Sequence, residues 1–171
     1  MKTLTNEGCS EWLASRKLLA DPYGSPQSRP SYCEQCSLPH HTPSISALFS
    51  SIIECIQPFA AALLRVIDSA HYSPDEMAVI TQVRQASGEQ RPLDETPGHV
   101  FAATERDALI GFLTLVTSCG MTAYIYFDHG FTFLSWEGDF LDFFCSDSKR
   151  YKAVCELIPH MGVSSNATGN A

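Results

Sequence analysis

The sequence contains no lysine or arginine between Asp107 and Asp147, and basic residues are scarce in the rest of the chain. Its 171 residues carry 11 lysines and arginines against 19 aspartates and glutamates, which gives a net charge of −8 at neutral pH. Proteins that bind nucleic acids or anionic membranes usually present a cluster of positive charge. The composition therefore argues against nucleic acid and membrane as ligands and favours a cationic partner.

A long apolar run is also lacking. The most apolar stretch, residues 52–67, is interrupted by Glu54, Pro58 and Arg65 and is too short to cross a hydrocarbon layer of roughly 30 Å. Residues 1–8 contain no apolar segment, so no secretory signal is predicted. We therefore expect a cytoplasmic protein in which the seven cysteines stay reduced rather than forming a disulfide framework.

Motifs that identify common enzymes are missing. The chain has no Gly-x-Ser-x-Gly around a serine nucleophile, no Gly-x-x-x-x-Gly-Lys for phosphate and no Gly-x-Gly-x-x-Gly for a dinucleotide. The sequence thus favours a binding protein over an enzyme, and no cofactor is expected.

One cluster of potential metal ligands lies in a proline-containing segment. Cys33, Cys36, His40 and His41 offer two thiols and two imidazoles, and tetrahedral zinc accepts such a set. The spacing from Cys36 to His40 is tighter than in zinc fingers, and adjacent histidines seldom bind the same ion. A zinc module is therefore an alternative hypothesis, and a pair of reduced, exposed thiols is the simpler interpretation.

Helical patterns dominate the chain. Helices are predicted over residues 10–20, from Thr42 to Ile56, over 59–68 beyond a break at Pro58, from Ser73 to Gly88, over 104–120 and over 149–158, with a short helical turn at 139–144. Residues 21–43 contain five prolines and little periodicity, which predicts an irregular loop. Residues 88–100 are predicted to be a surface loop, and residues 161–171 a disordered tail.

Residues 122–136 alternate in the way a β-hairpin requires. The turn is predicted at Asp128-His129-Gly130, with Tyr124 and Tyr126 on one face of the first strand. The predicted fold class is α+β: a mostly helical single domain over residues 1–160 with one aromatic antiparallel hairpin near 122–136.

Aromatic and acidic residues follow one another through this hairpin and beyond it. Such residues suit a protein interface, in which carboxylates steer the encounter and aromatic rings fill pockets. Carboxylates at 137–142 are also compatible with a hard cation or with acid–base catalysis, although a solvated helix start explains them more simply. The predicted partner-binding residues are Tyr124, Tyr126, Asp128, Trp136, Glu137, Asp139 and Asp142.

The size, the acidity, the absence of a signal and the segment Tyr124 to Phe144 resemble the small acidic immunity proteins that bacteria keep beside interbacterial toxins. The resemblance implies a tight complex with a cognate basic toxin, of a kind that attacks nucleic acids, and no catalysis. Two alternatives stay open. One is an acidic secretion chaperone or adaptor that uses an apolar helix face such as Ile45 to Ile56, and the other is the zinc module.

Overall fold

A computed structural model describes residues 1–24, 30–68 and 73–161 of the chain. Within these residues the protein forms a seven-stranded antiparallel sheet and five α-helices. The strands are β1 (Lys2–Leu4), β2 (Tyr32–Ser37), β3 (Ala61–Asp68), β4 (Gly98–Ala102), β5 (Thr122–Phe127), β6 (Thr132–Trp136) and β7 (Phe140–Cys145). The helices are α1 (Asn6–Ser15), α2 (Thr42–Cys55), α3 (Pro74–Ala86), α4 (Arg106–Ser118) and α5 (Ser148–His160). No described helix is both long and apolar enough to span a membrane.

The strand order across the sheet is β1-β4-β3-β5-β6-β7-β2. Strands β5, β6 and β7 form a meander, in which Tyr124 pairs with Leu134 and Leu134 pairs with Asp142. The first two strands of the chain occupy the two opposite edges. The amino-terminal part of the sequence therefore reaches both sides of a sheet whose centre is built from later residues.

The two faces of the sheet are covered differently. Helices α2, α4 and α5 pack on the first face and form a large apolar core with residues such as Phe49, Leu113 and Phe133. On the second face, α1 covers a smaller cluster that includes Leu13, Tyr126 and Phe144. The second face is thus the thinner side of the molecule, and part of it reaches solvent.

The prediction of a mostly helical domain with one hairpin is wrong, because the sheet has seven strands. Residues 61–68 form β3 rather than a continued helix. This strand lies in the middle of the sheet, and its Ala-Ala-Leu-Leu run is the kind of short apolar segment that does not distinguish a buried strand from a buried helix.

Three further segments differ from the prediction. The segment 139–144 was expected to be a short helical turn, and Phe140–Cys145 forms β7. Tyr32–Ser37 lies in the predicted irregular loop and forms β2, and Gly98–Ala102 begins in the predicted surface loop and forms β4. Each of these strands is only five or six residues long, so its residue pattern is too short to predict its conformation. The conformation is determined by the strands with which it pairs. The predicted tail lies outside the described residues from position 162 onward, as do residues 25–29 of the predicted loop.

Several predicted features are confirmed. The hairpin is present, and Gly130 has a φ of 89° in its turn. A capping box joins Ser73 and Glu76 at the start of α3, and a proline occupies the first turn of α2. The first helix begins earlier than predicted, at Asn6, because Thr5 rather than Ser10 caps it. Strong local signals therefore located elements correctly, whereas the pairing of the outer strands was missed.

Candidate functional site

A tight turn made of Glu137, Gly138 and Asp139 joins β6 to β7, and we call it the acidic turn. The Asp139 N–H donates a hydrogen bond to the Trp136 carbonyl oxygen at 2.8 Å. Glu137 has a φ of 47° and Gly138 a φ of 78°, so both central residues lie in the left-handed region. A type I′ turn has this pair of positive φ angles and is usually built from asparagine, aspartate or glycine. Glutamate is thus an unusual residue at its first central position.

The acidic turn is held against the end of α4. A Cβ atom on Gly138 would lie 2.7 Å from the Thr117 carbonyl oxygen, so only glycine fits there. Gly120, which follows α4 with a φ of 72°, lies against the same turn. The carboxyl end of a helix carries partial negative charge. The position of the turn therefore adds to the negative potential of Glu137 and Asp139.

Three aromatic rings lie beside the acidic turn on the second face of the sheet. Trp136 and Phe140 face each other across β6 and β7 and are 41% and 39% exposed. Tyr23, from the segment after α1, is 38% exposed. We call Tyr23, Trp136 and Phe140 the aromatic patch. Large exposed rings of this type are the residues that most often anchor a protein interface.

The side chain of Asp142 holds the aromatic patch in place. It is only 1% exposed, and its Oδ2 accepts hydrogen bonds from Trp136 Nε1 at 2.7 Å and from the Tyr23 hydroxyl at 2.6 Å. Gln35 Nε2 donates to Oδ1 at 2.8 Å. Burial, and secondarily the hydrogen bond to Asp142, raises the pKa of Tyr23, so its hydroxyl stays a donor at physiological pH. Two partly exposed rings thus share one buried anchor.

Tyr124 and Tyr126 were predicted to contact a partner, and the structure corrects this assignment. They are 7% and 0% exposed, because α1 and residues 16–24 cover that part of the second face. The Tyr124 hydroxyl donates to Asp21 Oδ1 at 3.1 Å, and the Tyr126 hydroxyl donates to the Ala20 carbonyl oxygen. Both rings belong to the interior and tie the covering segment to the sheet.

Two predicted carboxylates also have internal roles. Asp128 is half-buried, and its Oδ2 accepts the backbone N–H groups of Ala60 and Ala61 at 3.0 and 3.2 Å. Asp142 was predicted to lie on the surface and is instead buried beneath the aromatic patch. The exposed members of the predicted set are therefore Trp136, Glu137 and Asp139, which lie together.

Two cavities flank the acidic turn. One has a volume of about 310 Å³ and is lined by Gln35, Trp136, Glu137, Asp139 and Phe140. The other, of about 210 Å³, brings His40 and Thr42 to the opposite side of the turn. Within residues 1–24, 30–68 and 73–161, no lysine or arginine forms an ion pair with Glu137, Asp139 or Asp142. The carboxylates of the turn are thus available to a cation from outside.

The proposed zinc ligands are not brought together. Cys33 and Cys36 are three positions apart on β2 and point to opposite faces, so Cys36 packs in the large core and Cys33 against the smaller cluster. Burial raises the pKa of Cys36 to about 12, which disfavours the thiolate that binds metal. His41 occupies the N-cap position of α2 without a side-chain capping hydrogen bond, and the described residues contain no group of three potential ligands close enough to hold a metal ion.

Three residues of the site were not predicted: Tyr23, Gln35 and Phe140. For Phe140 a signal existed, because Phe140, Asp142 and Phe144 alternate as residues on one face of a strand do. No local signal existed for Tyr23, which lies 119 positions from Asp142.

Comparison of the chain with known protein families, with curated proteins and with solved structures gives no match. The function therefore has to be argued from the site itself.

Proposed function

We propose that this chain is an immunity protein that binds and neutralises a cognate interbacterial toxin by covering a cationic active site. The observation that carries the proposal is the exposed pair Trp136 and Phe140 beside two exposed carboxylates that form no ion pair with a lysine or arginine among the described residues. The Trp136 ring is held by its hydrogen bond to Asp142, and a ring that is already ordered loses little conformational freedom when it binds, which favours tight association. Carboxylates next to them favour a basic partner and reject an acidic one.

A nucleic-acid-targeting toxin is the partner class that fits this surface. The active site of such a toxin has to attract phosphate groups and is therefore rich in lysine and arginine. A partner that presents aspartate and glutamate around two aromatic anchors competes for the same positive surface. The net charge of −8 accelerates the encounter in addition to the local contacts.

The chaperone hypothesis relied on the apolar face of α2, and that face is already used. Ile45, Leu48, Phe49, Ile52 and Ile53 are buried against the first face of the sheet. An effector would have to displace the core to reach them. The aromatic patch, in contrast, is already exposed and can contact a partner without any change in the core.

The proposal is tested by capture and neutralisation. The tagged chain is used to isolate its partner from native cells, and the partner is then expressed with and without the chain. We expect a one-to-one complex with a basic protein that is toxic alone and harmless in the presence of the chain. Isolation of a protein that is not basic, or a toxicity that the chain does not relieve, contradicts the proposal.

The place of contact is tested with a matched pair of charge reversals. Asp139 and Glu156 are both exposed, but Asp139 is in the acidic turn whereas Glu156 is on α5, on the first face of the sheet. We expect Asp139→Lys to weaken the complex at least tenfold and Glu156→Lys to change its affinity by less than about threefold. Equal effects would mean that the toxin contacts another surface.

A further inference from the structure

We infer that the cavity of about 310 Å³ beside Trp136 receives an arginine side chain of the partner. This inference rests on the proposed function, since it names the group by which a basic partner is recognised. It concerns one pocket rather than the whole surface. It can be tested without the partner, because the pocket and its ligand are both small.

The walls of the cavity are aromatic. Trp136 and Phe140 both line it, and Gln35 completes it from the edge strand β2. The indole N–H of Trp136 is already bonded to Asp142 at 2.7 Å, so a ligand finds the ring in a fixed position. Tryptophan is the aromatic side chain that attracts cations most strongly. A pocket with such a wall favours a flat, positively charged group.

The mouth of the cavity is negative. Glu137 and Asp139 both line it, and they meet no lysine or arginine in the part of the chain that the structure describes. Buried Asp142, one hydrogen bond behind Trp136, adds a further carboxylate that is surrounded by neutral donors. A cation that enters the cavity would therefore meet an aromatic wall and the two carboxylates of the acidic turn together.

Arginine fits this combination better than lysine. Its guanidinium group is flat, stacks on aromatic rings and donates two parallel hydrogen bonds to a carboxylate. The molecule already contains one such contact, since the Arg16 guanidinium carbon lies 4.0 Å from the centre of the Trp12 ring. The ammonium of lysine is more strongly hydrated and does not stack as a plane. We therefore assign the pocket to arginine.

The test is a titration of the isolated protein with N-acetylarginine amide, followed through the indole N–H signals of its two tryptophans by NMR. N-acetylcitrulline amide, which has nearly the same shape and no charge, is the matched control ligand. We expect saturable shifts of the Trp136 signal, with arginine binding at least tenfold more tightly than citrulline. The Trp12 signal is the internal control: Trp12 lies on α1 and does not line the cavity, so its signal should not shift as arginine binds.

The variants Glu137→Gln and Asp139→Asn remove the charge at the mouth and keep the size of each side chain. Each is expected to weaken arginine binding about threefold or more without moving the Trp136 signal of the free protein. Equal binding of arginine and citrulline, or the absence of a saturable shift at Trp136, overturns the inference. A toxin that is neutralised by the chain even when Trp136→Ala removes the pocket wall would retain the proposed function and reject the arginine pocket.

Discussion

Asp142 is the residue whose side chain holds Trp136 and Tyr23 in place at the site. It is buried, forms no ion pair with any lysine or arginine that the structure describes, and accepts hydrogen bonds from three neutral donors, Tyr23, Gln35 and Trp136. A buried charge is expensive unless hydrogen bonds satisfy it. This arrangement explains how two partly exposed aromatic rings are kept in one orientation in the free protein.

Replacement of Asp142 by asparagine preserves its size and exchanges one acceptor for an N–H₂ group. We expect Asp142→Asn to lower the free energy of unfolding by about 1–3 kcal/mol, because a neutral amide oxygen is a weaker acceptor than a carboxylate and the N–H₂ group accepts no hydrogen bond. Urea denaturation measures the change. The exposed Asp139→Asn is the control and should stay within about 0.5 kcal/mol of the parent. Equal midpoints for the two variants would contradict the anchoring role.

Glu137 provides a second prediction at this scale. Its φ of 47° is unfavourable for a residue with a Cβ atom by about 1–2 kcal/mol. Glu137→Gly removes this strain, at some cost in the entropy of the unfolded chain, so we expect a net gain in stability of about 0.5–1 kcal/mol together with weaker binding. Thermal unfolding and partner affinity are measured on the same sample.

Glu156→Gly is the comparison for that experiment. Glu156 is an exposed glutamate in helix α5, where glycine is unfavourable by about 1 kcal/mol. The two identical changes should therefore shift stability in opposite directions. A loss of stability at both positions would show that the backbone at Glu137 is not strained.

At the scale of elements, α3 is fixed to strand β4 by a buried polar contact. Arg84 Nε donates to His99 Nε2 at 3.1 Å, and the guanidinium also donates to the carbonyl oxygens of Arg91 and Thr96 at 2.9 and 3.1 Å. Burial, with the nearby charge of Arg84 as the second cause, lowers the pKa of His99 to about 3. His99 must be neutral for this contact, because a protonated Nε2 accepts no hydrogen bond.

The low pKa of His99 predicts an acid-sensitive fold. An unfolded histidine has a pKa of about 6.5, so between pH 6.5 and 3 the unfolded chain binds a proton that the folded protein excludes. The free energy of unfolding should therefore fall as the pH is lowered through this window, by up to about 1.4 kcal/mol per pH unit from this residue. Denaturant titrations between pH 7 and 4 measure the slope.

His99→Gln cannot titrate and should show a smaller slope, whereas the exposed His160→Gln should keep the slope of the parent. His129 is half-buried and also has a lowered pKa through burial, so part of the slope remains in every variant. An unchanged slope in His99→Gln would contradict the assignment.

Elements differ in how well the sequence predicts them, and α3 and β3 show why. The start of α3 was predictable because Ser73 and Glu76 satisfy each other within four residues. Strand β3 was not, since its buried run suits a helix or a strand and only its partners β4 and β5 decide. For the site, Trp136, Glu137 and Asp139 were chosen from their aromatic and acidic character, whereas the strand that follows them was predicted to be a short helical turn. The burial of Asp142 was not, because its three donors come from distant parts of the chain and from β6.

At the scale of the whole molecule, the negative charge acts before contact. Attraction between a chain of net charge −8 and a basic partner raises the association rate, and dissolved salt screens it. We expect the association rate constant to fall at least tenfold between about 0.05 and 0.5 M salt, while the dissociation rate changes little. Stopped-flow fluorescence measures both rates. A dissociation rate that carries the whole salt effect would argue against electrostatic steering.

The positions of β1 and β2 at opposite edges of the sheet have a consequence for protein synthesis. Gln35 on β2 is joined to Asp142 on β7, and these residues are 107 positions apart. At about 5–20 residues per second, β2 leaves the ribosome roughly 5–20 seconds before the strand it pairs with. Glu34 and Gln35 make the waiting strand partly polar, and polar residues on an unpaired strand disfavour its pairing with other chains.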